Sequence, residues 1–406
     1  MSNIIVGLDI GTSKVTAVVG EILDDERLNI IGVGITPSEG LQKGVVVDIE
    51  KASRCIQKAV DEAQKMADMA ISYVYVGVAG AHIESRNNSA SIHLSQENSR
   101  VTQADVEKVL KEVANVSVPV GKEIIHSIVR EYKLDDQEHI TDPVGMTGSR
   151  LEVSAHIVFG ATNSIRNMIS CAHNCNLDVA QVILQPLASS ESVLTEDEKK
   201  LGVILVDIGG GTTDIAVFHE GKLAHTSVLP IGGWHFTNDL AYCLRTSFSE
   251  AEKLKVRYGC VDMRLVEKNL TLEVTSAGSD ERRRIAADSL CEILQPRAEE
   301  LVNLVLNDVF QAFGNLERYA AGIVVTGGGA QVRGLEQLFK RNGNLSVRIG
   351  KIRDVTGLSE KVGSPVFATG VGLILYGYKH YELLYDALRE ENFLDRIINA
   401  VKGWFL

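Results

Sequence analysis

The chain has 406 residues, 45% of them apolar, and a formal net charge of −12 at pH 7. Such a length allows substantial buried cores and predicts two lobes or more, because single cores stop growing near about 250–300 residues. The acidic balance, with no stripe of clustered Lys and Arg, argues against a nucleic-acid backbone as partner.

The opening MSNIIVGLDIGT lacks a charged n-region and a cleavage site, so no secretory leader is expected and the chain is expected in the cytosol. Its apolar run belongs to a hairpin. VGLDIGTSKVTAVV reads as a strand ending at Asp9, a turn through Gly11, Thr12, Ser13 and Lys14, and a second alternating strand. A third strand near Leu28 to Thr36, a helix from about Ile49 and the buried strand SYVYVGVAG follow, an α/β layout with a mixed sheet. After about Ile83 the chain turns polar, with NNSASIHLSQENS. A capping-box start at Thr102 to Asp105 opens a helix to about Ala114. Strands are expected around Glu123 to Tyr132 and Arg150 to Phe159, joined by the loop EHITDPVGMTGSR. Residues 84–162 therefore read as an inserted subdomain. A helix from about Asn163 and a strand near Val179 to Leu184 return to the first lobe, and TEDEKK punctuates the crossing to the second at about Leu201.

There, ILVDIGGGTTDIAVF repeats the first hairpin: an apolar strand ending at Asp207, a turn through Gly209, Gly210 and Gly211, then Thr212, Thr213 and another alternating strand. Glycines in such turns let the backbone reach positive φ and aim N–H groups at an anion. The hydroxyls of Thr12, Ser13, Thr212 and Thr213 can donate to phosphate oxygens, and Lys14 adds a cation. Carboxylates repel phosphate unless a cation stands between them. Asp9 and Asp207, with Asp214 as a further candidate, therefore make sense as ligands of a hydrated Mg²⁺. A single Asp-Ile-Gly turn can be an ordinary chain reversal; two copies in matching contexts point to a duplicated phosphate clamp.

Residues 234–313 read as a helical insert with RRR at Arg282 to Arg284, a solvated helix face able to dock an acidic tail, and the long helix LCEILQPRAEELVNLVLNDVFQAF. AAGIVVTGGGAQVRGLEQLF then runs from an apolar strand through Gly327, Gly328 and Gly329 into an amphipathic helix. A turn of that kind can pass under a flat purine or ribose where any Cβ would clash. Six cysteines are scattered without framework spacing, as in a reducing compartment. CAHNC, with His173 between Cys171 and Cys175, raises a zinc site but has no second Cys/His pair nearby; His82, His93, His126 and His156 read as surface or core residues.

After the spacer at 381–390, the segment ENFLDRIINAVKGWFL (391–406) places Phe393, Leu394, Ile397, Ile398, Val401, Trp404 and Phe405 on one helical face. It is too short and too charged to span a bilayer, and is expected to lie flat at a membrane interface with Trp404 at headgroup level. The competing reading is a terminal helix docked on the protein's own core. One such helix binds lipid reversibly, whereas a polymer displaying many gains avidity, so filament formation and membrane attachment are expected to be coupled.

The three glycine blocks, in this order, resemble the phosphate 1, phosphate 2 and adenosine motifs shared by actin, heat-shock ATPases and sugar kinases. QPLASSESVL from Gln185 resembles the first connecting helix of that superfamily. FATGVGLILYG from Phe367 resembles the second, with Ala368, Gly370 and Gly372 permitting close packing at a hinge. SEAEKLKVRYG resembles the A-E-x-x-K pattern with which bacterial actins contact ribose and adenine, implying contacts from Glu252 and Lys255. Together with the inserted subdomain, the terminal amphipathic helix and stretches such as NIIGVG, LASSESVLTEDE and SVRIG, the whole chain resembles the FtsA family of bacterial division proteins.

That resemblance implies an α/β, actin-like (ribonuclease H-like) duplicated fold of two lobes with an inserted 1C subdomain. It implies 1A at 1–83 and 163–200 with a return at 365–380, 1C at 84–162, 2A at 201–233 and 314–364, and 2B at 234–313. It also implies ATP and Mg²⁺ between the lobes, self-association into protofilaments, and the C-terminal tail of tubulin-like FtsZ on 2B. The implied role is to hold the division ring to inner-membrane lipid, on the cytoplasmic face at the division site, and to recruit later division proteins. Gln185 stands where relatives orient the attacking water. Members are generally poor ATPases, so weak turnover is expected, with ATP mainly holding a closed, polymer-competent state. A sugar or acetate kinase, a heat-shock chaperone and a pilus-assembly homologue of the PilM type are the rival readings; only the last shares the inserted subdomain, and it is not expected to carry the terminal helix.

Overall fold

The computed structural model describes residues 4–23, 27–94, 99–278 and 282–380. Ile4–Ile10 and Lys14–Ile22 are buried almost throughout, as in strands of a sheet covered on both faces. With Leu28–Pro37 they form an antiparallel meander, and Tyr73–Val78 and then Asp178–Leu184 add in parallel beside Ile4–Ile10. Val355–Gly357 closes the opposite edge. The helix Ile49–Ala67 starts where the Asp48 side chain accepts the Lys51 N–H and ends at Asp68 in the left-handed region. It buries Ala52, Ile56, Ala59, Val60 and Ala63 in the first lobe's core.

The second lobe repeats this plan. Val203–Ile208, Thr213–His219 and Lys222–Leu229 form the meander, and Gly322–Thr326 and Val347–Ile349 add in parallel beside the first of them. Period-2 alternation splits the central strands between two cores. Val203, Leu205, Ala216 and Phe218 pack with the first lobe, whereas Ile204, Val206, Ile208, Ile215 and Val217 pack with Leu240, Leu301 and Phe339 of the second.

Two helices, Gln185–Val193 and Ala368–Lys379, cross between the lobes. Gly372 allows their backbones to touch, since a Cβ there would lie 1.8 Å from Ala188 O. Ser192 Oγ–H donates to Ala368 O at 2.7 Å. The stretch TEDEKK does more than punctuate: Thr195 and Glu198 form a capping box that starts the helix Glu196–Leu201. Its Lys199 is buried but paired with Glu191 at 2.7 Å and Glu196 at 3.2 Å, and Lys379 pairs with the same Glu191. Buried charge is tolerated here because each ion has a partner.

Between the fourth and fifth strands of the first lobe, a separate sheet runs in the order Gln137–Ile140, Lys122–Leu134, Arg150–Ala161, Glu84–His93, packed against the helix Gln103–Ala114. The polar stretch after Ile83 is thus an edge strand, whose one buried residue is Ile92; solvated edges do not need hydrophobic alternation. This sheet reaches the second lobe. Ser85 Oγ–H donates to Thr226 O at 2.8 Å, and His156 lies 2.9 Å from Thr226 Oγ1 and 2.7 Å from Asn87 Oδ1. It also reaches the hinge, where His126 Nε2 accepts the Leu184 N–H at 3.0 Å. His126 and His156 are core residues, and burial pushes both down to about 3.

The second insert holds Gly233–Cys243, Phe248–Tyr258, the hairpin of Thr271–Thr275 with Arg282–Ala286, and the long helix Asp288–Phe313. Arg282, Arg283 and Arg284 therefore stand on a strand, not on a helix face as expected. Cys171 and Cys175 are buried, with Cys175 Sγ–H donating to Ser53 O at 3.2 Å, while His173 is exposed. Among the described residues no group of three or more His, Cys, Asp or Glu is placed to cage an ion directly. No helix among the described residues is long and apolar enough to cross a membrane. The spacer at 381–390 and Phe393, Leu394, Ile397, Ile398, Val401, Trp404 and Phe405 lie outside the described residues.

Candidate functional site

Each duplicated hairpin ends in a four-residue turn closed by one hydrogen bond: Gly11 N–H to Lys14 O at 3.0 Å, and Gly209 N–H to Thr212 O at 2.9 Å. The flanking register pairs, Ile10 with Val15 and Ile208 with Thr213, are the same in both. The two turns come together across the lobes. A Cβ on Gly210 would fall 2.6 Å from Ser13 Oγ, and one on Gly211 would fall 2.7 Å from Thr12 Oγ1. That close approach, and not the positive φ expected from the sequence, is what glycine supplies here: Gly11, Gly209, Gly210 and Gly211 all keep negative or extended φ. Neighbours hold both turns in place: Thr12 Oγ1 accepts the Gly44 N–H at 3.0 Å, Gly233 N–H donates to Gly209 O at 2.9 Å, and Trp234 N–H to Gly210 O at 2.7 Å. Thr213 faces inward instead, its hydroxyl donating to Ile231 O at 2.8 Å.

Three buried carboxylates gather behind the turns. Asp9 and Asp207 end the first strands, and Asp214 pairs in register with Asp207. Gln185, first residue of its helix, donates its side-chain N–H to Asp9 Oδ1 at 3.0 Å. One turn on, Ser189 Oγ–H donates to Asp207 Oδ2 at 2.5 Å, and Thr369 from the other crossing helix donates to the same oxygen at 3.3 Å. Lys14 Nζ lies 3.9 Å from Asp9 Oδ2, donates to Thr16 Oγ1 at 3.1 Å and to Val366 O, and sits 5.3 Å from the Phe367 ring centroid. Burial pushes Asp9 up to about 6, with Lys14 pulling down and Asp207 pushing further up. Burial also raises Asp207, against its Ser189 and Thr369 hydrogen bonds and Lys14. Asp214 is raised well above its ordinary value, by burial first and Asp207 second, against its Thr212 hydrogen bond.

This arrangement fits a cation. Neighbouring carboxylates raise one another's proton affinity, and Asp214 Oδ1 is buried with no partner among the described residues. The described residues form no direct cage of three or more ligands, so a cation that Asp9 and Asp207 could hold here would be one that keeps most of its own waters.

The remaining sequence candidates border the same place. Lys255 Nζ donates to Glu252 Oε2 at 2.8 Å, Thr237 Oγ1 at 2.8 Å and Gly233 O at 2.9 Å, so this pair sits at the helix start that holds the second turn. Gly327 has φ of 80°, and a Cβ there would lie 2.3 Å from Asp207 Oδ1 and 2.6 Å from Ile208 O. Gly329 presses on the Ile208 side chain, whereas nothing crowds Gly328 closer than 4.0 Å. A cavity of about 520 Å³ lies beside this third turn, lined by Ala330, Val332, Arg333, Leu265 and Pro365. It touches neither phosphate-type turn, so the case for the site rests on the loops.

Sequence reasoning missed Ser189, Thr369 and Thr16. A signal existed for Ser189: three serines on a nine-residue helix at the lobe crossing, where buried hydroxyls need partners. Thr369 carried none that sequence distance could reveal.

A family model described as "Cell division protein FtsA" matches residues 204–372, and one described as "SHS2 domain inserted in FTSA" matches residues 80–159. The chain is 44% identical to the cell division protein FtsA of Pseudomonas aeruginosa over 92% of its own length and 89% of that protein. It is 43% identical to that of Escherichia coli (strain K12) over 99% of its length and 95% of that protein. Among solved structures, the PilM-PilN type IV pilus biogenesis complex matches with TM-score 0.66 at 16% identity, covering 92% of this chain and 98% of that one. MreB 5 of Spiroplasma citri bound to AMPPNP matches with TM-score 0.56 at 16% identity over 95% and 99%. These structures share the actin-like α/β fold, as the resemblance implied. With its inserted subdomain matched and its near full-length identity to those division proteins, the chain belongs to the FtsA family.

Proposed function

We propose that this protein binds ATP with Mg²⁺ between its lobes, assembles into actin-like protofilaments on the inner membrane, tethers the FtsZ ring and recruits later division proteins. The observation that carries the reading is the contact of the two glycine turns in front of three buried carboxylates. Backbone N–H groups of both turns and the hydroxyls of Thr12, Ser13 and Thr212 supply donors to phosphate oxygens, and Lys14 a cation. Mg²⁺, when bound, offsets the charge between Asp9, Asp207 and the phosphates. Gly327 to Gly329, with Glu252 and Lys255, take the nucleoside side. Gln185 is held by Asp9, so it orients water only after that bond is released; this fits weak ATPase activity at most. Fold relatives bound to AMPPNP, and another solved as a double helical filament, support nucleotide use and self-association.

In this reading residues 84–162 are 1C, residues 234–313 are 2B and receive the FtsZ tail, and residues 391–406 insert their apolar face into lipid at the cytoplasmic side of the division site. Sedimentation with inner-membrane-like liposomes compares the full chain with one ending at Leu388. The full chain is expected to pellet and the shorter one to stay in solution; equal pelleting removes the tether. Asp207→Ala is expected to lose both ATP binding and filaments on lipid. Loss of ATP binding with filaments intact would break the coupling between them.

A further inference from the structure

We infer that Ser189 and Thr369 are positioning residues that hold the Asp207 carboxylate in place for a metal-bound phosphate; this rests on the ATP reading above. Buried helical serines ordinarily satisfy themselves on their own helix. Ser190 does so with Leu187 O at 2.7 Å, and Ser192 lies 3.0 Å from Ser189 O as well as 2.7 Å from Ala368 O, so both stay on backbone carbonyls. Ser189 departs from that habit and reaches Asp207 Oδ2 at 2.5 Å, where Thr369, arriving from the other crossing helix, donates at 3.3 Å. The two hydroxyls are themselves 3.1 Å apart. Both are buried, so water does not compete for that oxygen.

Helix geometry makes this more than local satisfaction. Gln185 and Ser189 are four residues apart, hence on one face of one helix, and each donates to the aspartate of a different lobe. The separation of Asp9 and Asp207 is thereby tied to a single turn of helix, about 5.4 Å long. Thr369 adds the second crossing helix, whose distance from the first is set at Gly372. Two donors on one carboxylate oxygen fix its rotation and leave the other oxygen to face the cleft's cation.

The experiment uses the full chain and a fluorescent ATP analogue, titrated with Mg²⁺ and, separately, in EDTA. Ser189→Ala and Thr369→Val are expected to raise the Mg²⁺ midpoint for nucleotide binding about tenfold, while affinity in EDTA changes less than about twofold, the loss expected for a hydrogen bond to a charged group. Thr369→Ser keeps the hydroxyl and is expected to restore the wild-type midpoint. Equal weakening with and without Mg²⁺, or an unmoved midpoint, overturns the inference. If Ser189→Ala does not fold by thermal melting, the Thr369→Val and Thr369→Ser pair decides alone. A wild-type chain that binds no ATP under either condition overturns the parent reading as well, which separates the two failures.

Discussion

The two lobes carry the same five-stranded plan with the same turn closure, yet they differ where chemistry is done. In the first, the turn ends in Lys14 and Asp9 pairs with Thr16; in the second, Thr212 takes the place of Lys14 and Asp214 that of Thr16. One turn therefore carries a cation and the other an extra carboxylate. The insertions differ too. The first lobe places the helix Ile49–Ala67 between its third and fourth strands and its insert after the fourth, whereas the second lobe places its insert directly after the third. Duplication kept the backbone that brings two turns together, and the side chains and insertions divided the labour.

The harshest test of this shared backbone is at the third turn. Gly327→Ala is expected to cost about 2–4 kcal/mol in denaturant unfolding, from positive φ plus a clash with Asp207 and Ile208. Gly328→Ala, one residue on and uncrowded, is expected to stay within about 0.5 kcal/mol. Equal costs would mean that the approach to Asp207 is not what constrains this turn. Next in size is the asymmetry between turns. Lys14→Ala is expected to weaken ATP binding roughly 10- to 100-fold and Thr212→Ala only about threefold, the difference between a charged and a neutral hydrogen bond. Equilibrium titration checks it, and equal losses would erase the division of labour.

The hairpins were legible in the sequence because an apolar run ending in Asp-Ile-Gly, twice, has few other physical solutions. The burial split of Val203 and Leu205 from Ile204 and Val206 follows from the same alternation. Less legible was Glu84–His93, since an edge strand with one buried residue leaves no hydrophobic period. Thr369 was invisible as a site residue, and the serines flagged Ser189 without its partner, because the two reach Asp207 across 162 and 18 positions of chain, through a helix crossing that only the fold creates. His126 and His156 read correctly as ordinary histidines, but not as the residues joining the inserted sheet to the hinge and to the second lobe.

The carboxylate cluster makes a pH prediction with a definite sign. Asp9 binds its proton more tightly in the folded chain, at about 6, than its ordinary value of 3.8, so the stability it contributes is full below 3.8 and lost as pH rises through about 6. Asp207 and Asp214 shift in the same direction. In EDTA the melting temperature is expected to rise by roughly 2 to 5 °C on lowering the pH from about 7 to about 5. Saturating Mg²⁺ is expected to flatten that slope by supplying the missing positive charge. A slope indifferent to Mg²⁺ would remove the metal from this site.

The smallest effect separates a strand from a helix in the second insert. On a strand, residues alternate between faces, so Arg283 should differ from both its neighbours; on a helix the three would fan gradually around the surface. Arg283 donates to Leu244 O, whereas Arg282 and Arg284 point outward and share Glu273 at 3.7 and 3.8 Å. Arg283→Ala is accordingly expected to cost about 1 kcal/mol, and Arg282→Ala or Arg284→Ala less than about 0.5 kcal/mol, as exposed ion pairs do. The outward pair thus stands at the surface beside Glu273, whereas the first lobe's insert carries a single arginine, Arg86, on its polar edge strand Glu84–His93. A graded cost across the three arginines would restore the helix and remove that contrast between the two inserts.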